Sequence, residues 1–310
     1  MNFRISVIVP TLGRLEIVKR FIVSLNAQTT IPLELIIVDA SPQNQELTYR
    51  DVLRAEIQLR FVSSQPGLTH QRNVGVQNAK GDFIFFFDDD IVLEPTFIEQ
   101  CLREFMKPAN ERVGVVYGTI TNLPPPVIGT LPTIHQGIVK LLCRFFYLPR
   151  NGNGRFQASG MPTFVIGRQS AQHSQCMPGG LTAFRKEVFR DFSFDERLTG
   201  YSYMEDDDAG KRISSTFDVV YSPNARCAHL HAAPARINNY RAGIMLMINH
   251  HYLFRKNFTQ TFYHRFAHFL SLIGYPLLQL WDLNFSKLAG AVHGLFSIIF
   301  KKDELSRVSF

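Results

Sequence analysis

Little in this sequence points to an exported or covalently stapled protein. Its 310 residues hold four cysteines (Cys101, Cys143, Cys176, Cys227) with no CxxC pair. That excludes a zinc ribbon and a disulfide framework, and leaves reduced, cytosolic thiols as the expectation. The apolar run in the first ten residues is too short for a signal peptide and meets Pro10 at once, so export by that route is not expected. No apolar stretch reaches the ~20 residues of a spanning helix: the longest, 266–281 and 288–300, are interrupted by His268, Pro276 and His293. Internal repeats and low-complexity tracts are also missing. Core material is not scarce: 45% hydrophobic and 19% charged residues exclude disorder. The length suits one large α/β domain with an appendage, or two modest domains.

Charge is unevenly placed. Of the formal +7, residues 236–310 supply most, with nine Lys/Arg (Arg236, Arg241, Arg255, Lys256, Arg265, Lys287, Lys301, Lys302, Arg307) against Asp282, Asp303 and Glu304. These basic residues stand among Phe, Leu, Ile and Tyr, a mixture suited to an anionic membrane surface more than to a nucleic-acid groove. Two helices lying on a bilayer, or two ordinary core-packing helices, both fit the tail.

The first hundred residues alternate buried strands with helical patterns. Residues 5–9, 33–38, 59–62 and 83–87 are short β-branched or aromatic runs without polar alternation, each the mark of a strand covered on both faces. Leu15, Val18, Phe21, Ile22 and Leu25 recur at helical spacing, and a second helical pattern runs from Thr69 to a stop at Lys80-Gly81. This order of units predicts a parallel sheet with helices on both faces. Ligands in such sheets bind beyond the carboxyl ends of the strands, where Asp39 and the triplet Asp88-Asp89-Asp90 fall. Residues 122–178, with Pro124-Pro125-Pro126 and several glycines, read as a long, partly mobile insertion on the acceptor side, with one amphipathic helix near 134–148. Strands at 181–184 and 219–221 and a helix through 205–213 complete an α/β domain over residues 1–235, followed by a helical, basic appendage over 236–310.

Three aspartates directly after the run Ile84-Phe85-Phe86-Phe87 need a counter-ion, since clustered carboxylates raise one another's pKa unless a cation lies between them. Oxygen ligands suit Mg²⁺ or Mn²⁺. Alternation sends Asp88 and Asp90 to one side and Asp89 to the other. A solvated acidic turn is the plain alternative. A second cluster, Glu205-Asp206-Asp207-Asp208, opens a helix ending in Lys211-Arg212, which complements the helix dipole but does not require four acids. Glu205 and Asp208 are three apart and share a face. An acid here within reach of an attacking hydroxyl can serve as general base. His229 and His231 at i, i+2 would share one face and are metal-ligand candidates, whereas His250-His251 read as structural or interfacial.

In chain order, Ser6-Val7-Ile8-Val9-Pro10-Thr11 with Arg14, Ile36-Ile37-Val38-Asp39-Ala40-Ser41, Gln71-Arg72-Asn73-Val74-Gly75 and Gly81-Asp82 through Asp88-Asp89-Asp90 resemble successive signatures of family 2 glycosyltransferases. Met177-Pro178-Gly179-Gly180, Glu205-Asp206-Asp207-Asp208, and Pro223 with His229 continue the series, so the resemblance spans residues 3–235. It implies a GT-A fold, with a Rossmann-like, mostly parallel sheet flanked by helices. It further implies an inverting, metal-dependent transfer from a nucleotide-diphosphate sugar to a hydroxyl on a glycan or lipid-linked acceptor in cell-surface polysaccharide synthesis. By the same resemblance, Pro10, Thr11, Arg14, Asp39, Arg72, Asp88 and Asp89 face the donor, and Asp88, Asp90 and His229 hold Mn²⁺ or Mg²⁺. Gly179, Gly180 and Glu205 lie on the acceptor side, and Asp206 is the base. Asp207 fills a slot that is usually hydrophobic in the family, which keeps Asp207 and Asp208 open as bases. The implied setting is cytoplasmic or peripheral on the inner face of the membrane. A sugar nucleotidyltransferase would carry a glycine-rich loop after the first strand, where this chain has only Gly13. A non-catalytic membrane-surface protein with a degenerate nucleotide site is the remaining alternative, and its acidic clusters would repel nucleic acid.

Overall fold

The computed structural model describes residues 3–122, 133–165, 167–230 and 238–300. His231, the proline run at 124–126 and the basic residues Arg236, Lys301, Lys302 and Arg307 lie outside that set. The first half runs β1 (Ile5–Thr11), α1 (Leu15–Asn26), β2 (Glu34–Asp39), α2 (Glu46–Val52), β3 (Gln58–Ser63), α3 (Leu68–Asn78), β4 (Phe83–Phe87), β5 (Ile91–Leu93), α4 (Phe97–Phe105) and β6 (Val113–Ile120). The second half runs α5 (Thr133–Phe145), β7 (Arg150–Asn151), β8 (Thr163–Phe164), β9 (Gln172–Ser174), β10 (Leu181–Arg185), α6 (Glu205–Ile213), β11 (Asp218–His229), α7 (Asn239–Asn257), α8 (Phe262–Trp281) and α9 (Phe285–Ile299).

The main sheet has the order β3-β2-β1-β4-β10-β6-β11-β5, with β9 on the side of β11. The expected parallel unit is present as β3, β2, β1 and β4. The sheet is mostly parallel, as expected, with antiparallel members: β10 runs antiparallel between β4 and β6, and β5 and β9 are antiparallel to β11. Alternate residues of the strands feed separate cores: Ile5, Val7 and Val9 pack on one face with Phe85 and Phe87, while Ile8, Ile36, Val38, Ile84 and Phe86 pack on the other. Both faces are therefore covered, which is why the strand sequences carry no polar alternation.

Among the described residues of 133–178, regular elements alternate with loops. α5 and the short strands β7 to β9 form there, and β9 joins the main sheet through Ser174, His173 and Gln172 opposite Val219, Val220 and Tyr221. β11 is also far longer than the expected 219–221. Its register on β6 breaks between Tyr221 and Arg226, around Pro223, which has no amide to give a ladder. It then resumes and carries the chain to His229. Among the described residues, no helix is long and apolar enough to cross a membrane.

Candidate functional site at the carboxyl ends of the strands

Parallel register places the ends of β1 and β2 side by side, Thr11 opposite Asp39. Gln71 of α3 ties them together by donating to Thr11 O at 2.9 Å and Val38 O at 2.8 Å. Pro10 is buried within β1. Asp39 is buried, and its Oδ1 accepts from the backbone and hydroxyl of Ser41. Its Oδ2 is buried without a hydrogen-bond partner in the protein. Such an orphaned acceptor is costly unless a ligand donor meets it.

Past β4 the three aspartates diverge. Asp89 turns inward, accepting from Thr11 Oγ1 at 2.8 Å and pairing with Arg14 Nη1 at 2.5 Å. Burial pushes its pKa up to about 6 against the opposing pull of Arg14 and Thr11. Arg14 Nη2 reaches Asp90 Oδ2 at 3.3 Å. Asp88 stays accessible, with Arg72 Nη2 3.6 Å from its Oδ1.

Antiparallel pairing of β5 with β11 brings His229 opposite Ile91, and Leu230 N donates to Asp90 O at 2.8 Å. His229 Nε2 therefore lies 2.9 Å from Asp90 Oδ1, while Asn122 brackets the His229 backbone at 2.8 and 2.9 Å. One ligand atom from each of Asp88, Asp90 and His229 falls within 4.8 Å of the others. Two carboxylates and an imidazole form a donor set suited to Mn²⁺ or Mg²⁺, so this group can hold a divalent ion.

Arg72 is buried between the Phe86 and Phe194 rings, 5.8 and 5.4 Å from their centroids, and forms an ion pair with Glu205. Burial raises Glu205 to about 7, with Arg72 pulling the other way. Glycine is required opposite: a Cβ on Gly180 would overlap the Asp88 carboxylate, and one on Gly179 would strike Glu205 and the Arg72 guanidinium.

The start of α6 is held under strain. Ser202 and Met204, neither a glycine, sit at φ of 51° and 69°, a conformation that costs of order 1–3 kcal/mol each. Asn249 of α7 steadies the turn by donating to Tyr203 O at 2.8 Å. Asp206 then faces the site, where burial raises its pKa and the Arg72 charge lowers it, with Asp88 close enough to add to the rise. Asp207 is raised well above the usual range by burial and by Asp206 and Glu205.

The expected common face of Glu205 and Asp208 does not serve one site. Asp208 is 1% exposed and is engaged elsewhere, accepting from Lys256 Nζ at 2.8 Å, Asn257 Nδ2 at 2.7 Å and Arg212 Nη1 at 3.2 Å. Both its oxygens are thus taken up by partners on α6 and α7. Asn122, Asn249 and the Lys256 clamp carried no motif in the sequence, and Gln71 stood in the Gln71–Gly75 signature without a role of its own. Only a clustered acidic run hinted that one of its members would need a distant cation.

A family model for glycosyl transferase family 2 matches residues 6–192, more than half of the chain, and the chain belongs to that family. It is 30% identical over 113 residues to an uncharacterized glycosyltransferase of Haemophilus influenzae, covering 36% of this chain and 37% of that one. Over 119 residues it is 29% identical to the GalNAc(5)-diNAcBac-PP-undecaprenol beta-1,3-glucosyltransferase of Campylobacter jejuni, 37% of each chain. The chain thus spans well under half the length of these relatives. Among solved structures, the mannosyltransferase PcManGT from Pyrobaculum calidifontis, in complex with GDP-Man and Mn²⁺, superposes with a TM-score of 0.58 at 13% identity, covering 97% of this chain and 88% of that one. GalNAc-T7 with UDP, GalNAc and Mn²⁺ gives 0.57 at 14% identity, 82% and 48% covered. At such identity the likeness is one of fold, and that fold is the GT-A architecture.

Proposed function

We propose that the protein transfers a glycosyl group from a nucleotide-diphosphate sugar to a hydroxyl, with inversion at the anomeric carbon. The convergence of Asp88, Asp90 and His229, separated by some 140 residues of chain, beside the Arg72 and Asp206 charges carries the reading. Asp39, with its free buried oxygen, is suited to accept from the nucleobase, and Pro10, Thr11, Arg14 and Asp89 form the wall beside it. A divalent ion held by Asp88, Asp90 and His229 would neutralise the departing diphosphate. Arg72, fixed by Glu205 and two aromatic rings, presents positive charge without a conformational search. Asp206 takes the proton of the acceptor hydroxyl as its oxygen bonds to the anomeric carbon and the bond to the diphosphate breaks. A carboxylate raised by burial is a stronger acceptor nearer the working pH. Gly179 and Gly180 leave backbone-sized room on the acceptor side.

The undecaprenol-linked substrate in one relative's name supports a lipid-linked or growing polysaccharide acceptor. Such an acceptor would be met at the inner face of a membrane, where the basic residues of 236–310 would favour anionic headgroups. A panel of UDP-, GDP- and dTDP-sugars incubated with Mn²⁺ tests the chemistry. Release of nucleoside diphosphate is expected; formation of nucleoside triphosphate and sugar 1-phosphate only when pyrophosphate is added would mean nucleotidyl transfer, and no turnover with any donor a binding role.

A further inference from the structure

Helices α8 and α9 carry large apolar side chains on their solvent side as well as on their inner one. In α8 the buried residues mix polar His268, Ser271 and Gln279 with Ala267, Leu272 and Tyr275, with His268 stacked on Phe254 and Ser271 bonded to His250 at 3.0 Å. Its solvent side carries Phe262 (87% exposed), Phe266, Phe269, Leu277 and Leu280. Their spacing of four, three, eight and three residues keeps them in one stripe along the helix.

α9 repeats the arrangement with smaller inner residues. Gly290, Ala291 and Gly294 are its buried positions, and they press backbone to backbone on α7: a Cβ on Gly290 would collide with Tyr240 O, and one on Gly243 of α7 with Lys287 O. Phe285, Phe296 and Ile299 are left outside. Small residues between helices and large ones outward is the packing of helices whose surroundings are apolar. Water would favour the reverse.

We propose that the outer faces of α8 and α9 seat on an anionic lipid bilayer, the aromatic and aliphatic stripes entering the boundary between headgroups and acyl chains. The α5 end lies beside α8, with Tyr147 Oη 3.3 Å from Tyr263 Oη, and adds exposed Leu141 and Phe145 next to Lys140 and Arg144. Apolar anchors interleaved with cations match a negatively charged lipid surface. A second copy of the chain is a poor occupant, because it would bring the exposed cations Lys140, Arg144 and Arg265 of both copies together. The inference rests on the membrane-side acceptor proposed above. Its test stays separable from the transferase reading, because binding is read with no donor present.

The full chain is mixed with vesicles of phosphatidylcholine alone, or with phosphatidylglycerol added. Trp281, the one tryptophan, lies at the end of the α8 stripe and reports directly. A blue-shifted emission and co-sedimentation with the anionic vesicles are expected, with part of the binding surviving high salt because the stripes are apolar. Phe266→Asp with Phe269→Asp should weaken vesicle binding at least tenfold while donor turnover in solution is kept. Lys140→Ala with Arg144→Ala should lose only the salt-sensitive part. The proposal is overturned by a wild-type chain that stays in the supernatant at low salt with unshifted Trp281 emission. It is equally overturned by a stable dimer that Phe266→Asp dissociates and that ignores vesicles.

Discussion

β4 and α8 bury their chains by opposite rules. Every residue of β4, Phe-Ile-Phe-Phe-Phe, is buried, and the charged groups of the crevice begin only where the strand ends. α8 buries histidine, serine and glutamine beside Leu272 and Tyr275, and leaves its phenylalanines and two of its leucines, Leu277 and Leu280, outside. Hydrophobicity alone therefore does not say which side of an element is inner. In the sheet both faces meet protein, so apolar runs need no polarity pattern. In α8 large apolar side chains also stand on the side away from the protein, which is the observation behind the proposed lipid contact.

The comparison sharpens first at the crevice, where charge serves chemistry. Asp206→Asn should lower kcat by 10²–10⁴ with donor affinity nearly unchanged, read by steady-state kinetics and donor titration. If Asp208→Asn gave that loss and Asp206→Asn did not, the assignment of the base would be wrong. Because burial raises Asp206 and the base must be ionised, the acid limb of kcat/KM should lie above the ordinary carboxylate value of ~4.

The polar interior of the tail should fail first in acid. Burial depresses His268 to about 4 from 6.5 and holds His250 well below its ordinary value too. The unfolded chain then binds protons that the folded tail refuses. Stability from His268 is full above pH ~6.5 and erodes by roughly 3 kcal/mol as pH falls toward 4. Hydrogen exchange at pH 5 should open α7 and α8 while β1 and β4 stay protected, and uniform protection at that pH would erase the contrast.

Lys256→Met should cost about 2 kcal/mol, seen as a lower Tm, because it leaves the buried Asp208 with fewer cations. Gly180→Ala is the mildest change. Its methyl meets the Asp88 carboxylate, and metal-dependent donor binding should weaken about tenfold with Tm nearly constant. Equal binding in that variant would show that the β10 turn yields freely.

Much of this was legible in the sequence. β4 and α6 have the bounds their patterns imply, Phe83–Phe87 and Glu205–Ile213, because apolar runs and a charge-graded helix are local signals. The antiparallel course of β10 was not legible, since five buried residues read alike in either direction. Nor was the extension of β11 to His229, which depends on a bulge at Pro223 and on β5 as partner. At the site, alternation paired Asp88 with Asp90 and left His229 and His231 together as candidates, and only the family resemblance singled out His229. The division of labour within Glu205-Asp206-Asp207-Asp208 could not be named from spacing, because Arg72 and Lys256 select among them from 133 and 48 residues away.

Lys256 also bears on how freely the protein can be dissected. It donates to Asp195 at 2.7 Å as well as to Asp208, from the last turn of α7. A chain shortened before α7 would expose an acid-lined socket and release the strained turn that Asn249 steadies. Grafting this catalytic half onto another protein's C-terminal helices would therefore succeed only if the transplant brought its own cation and amide to the same two spots.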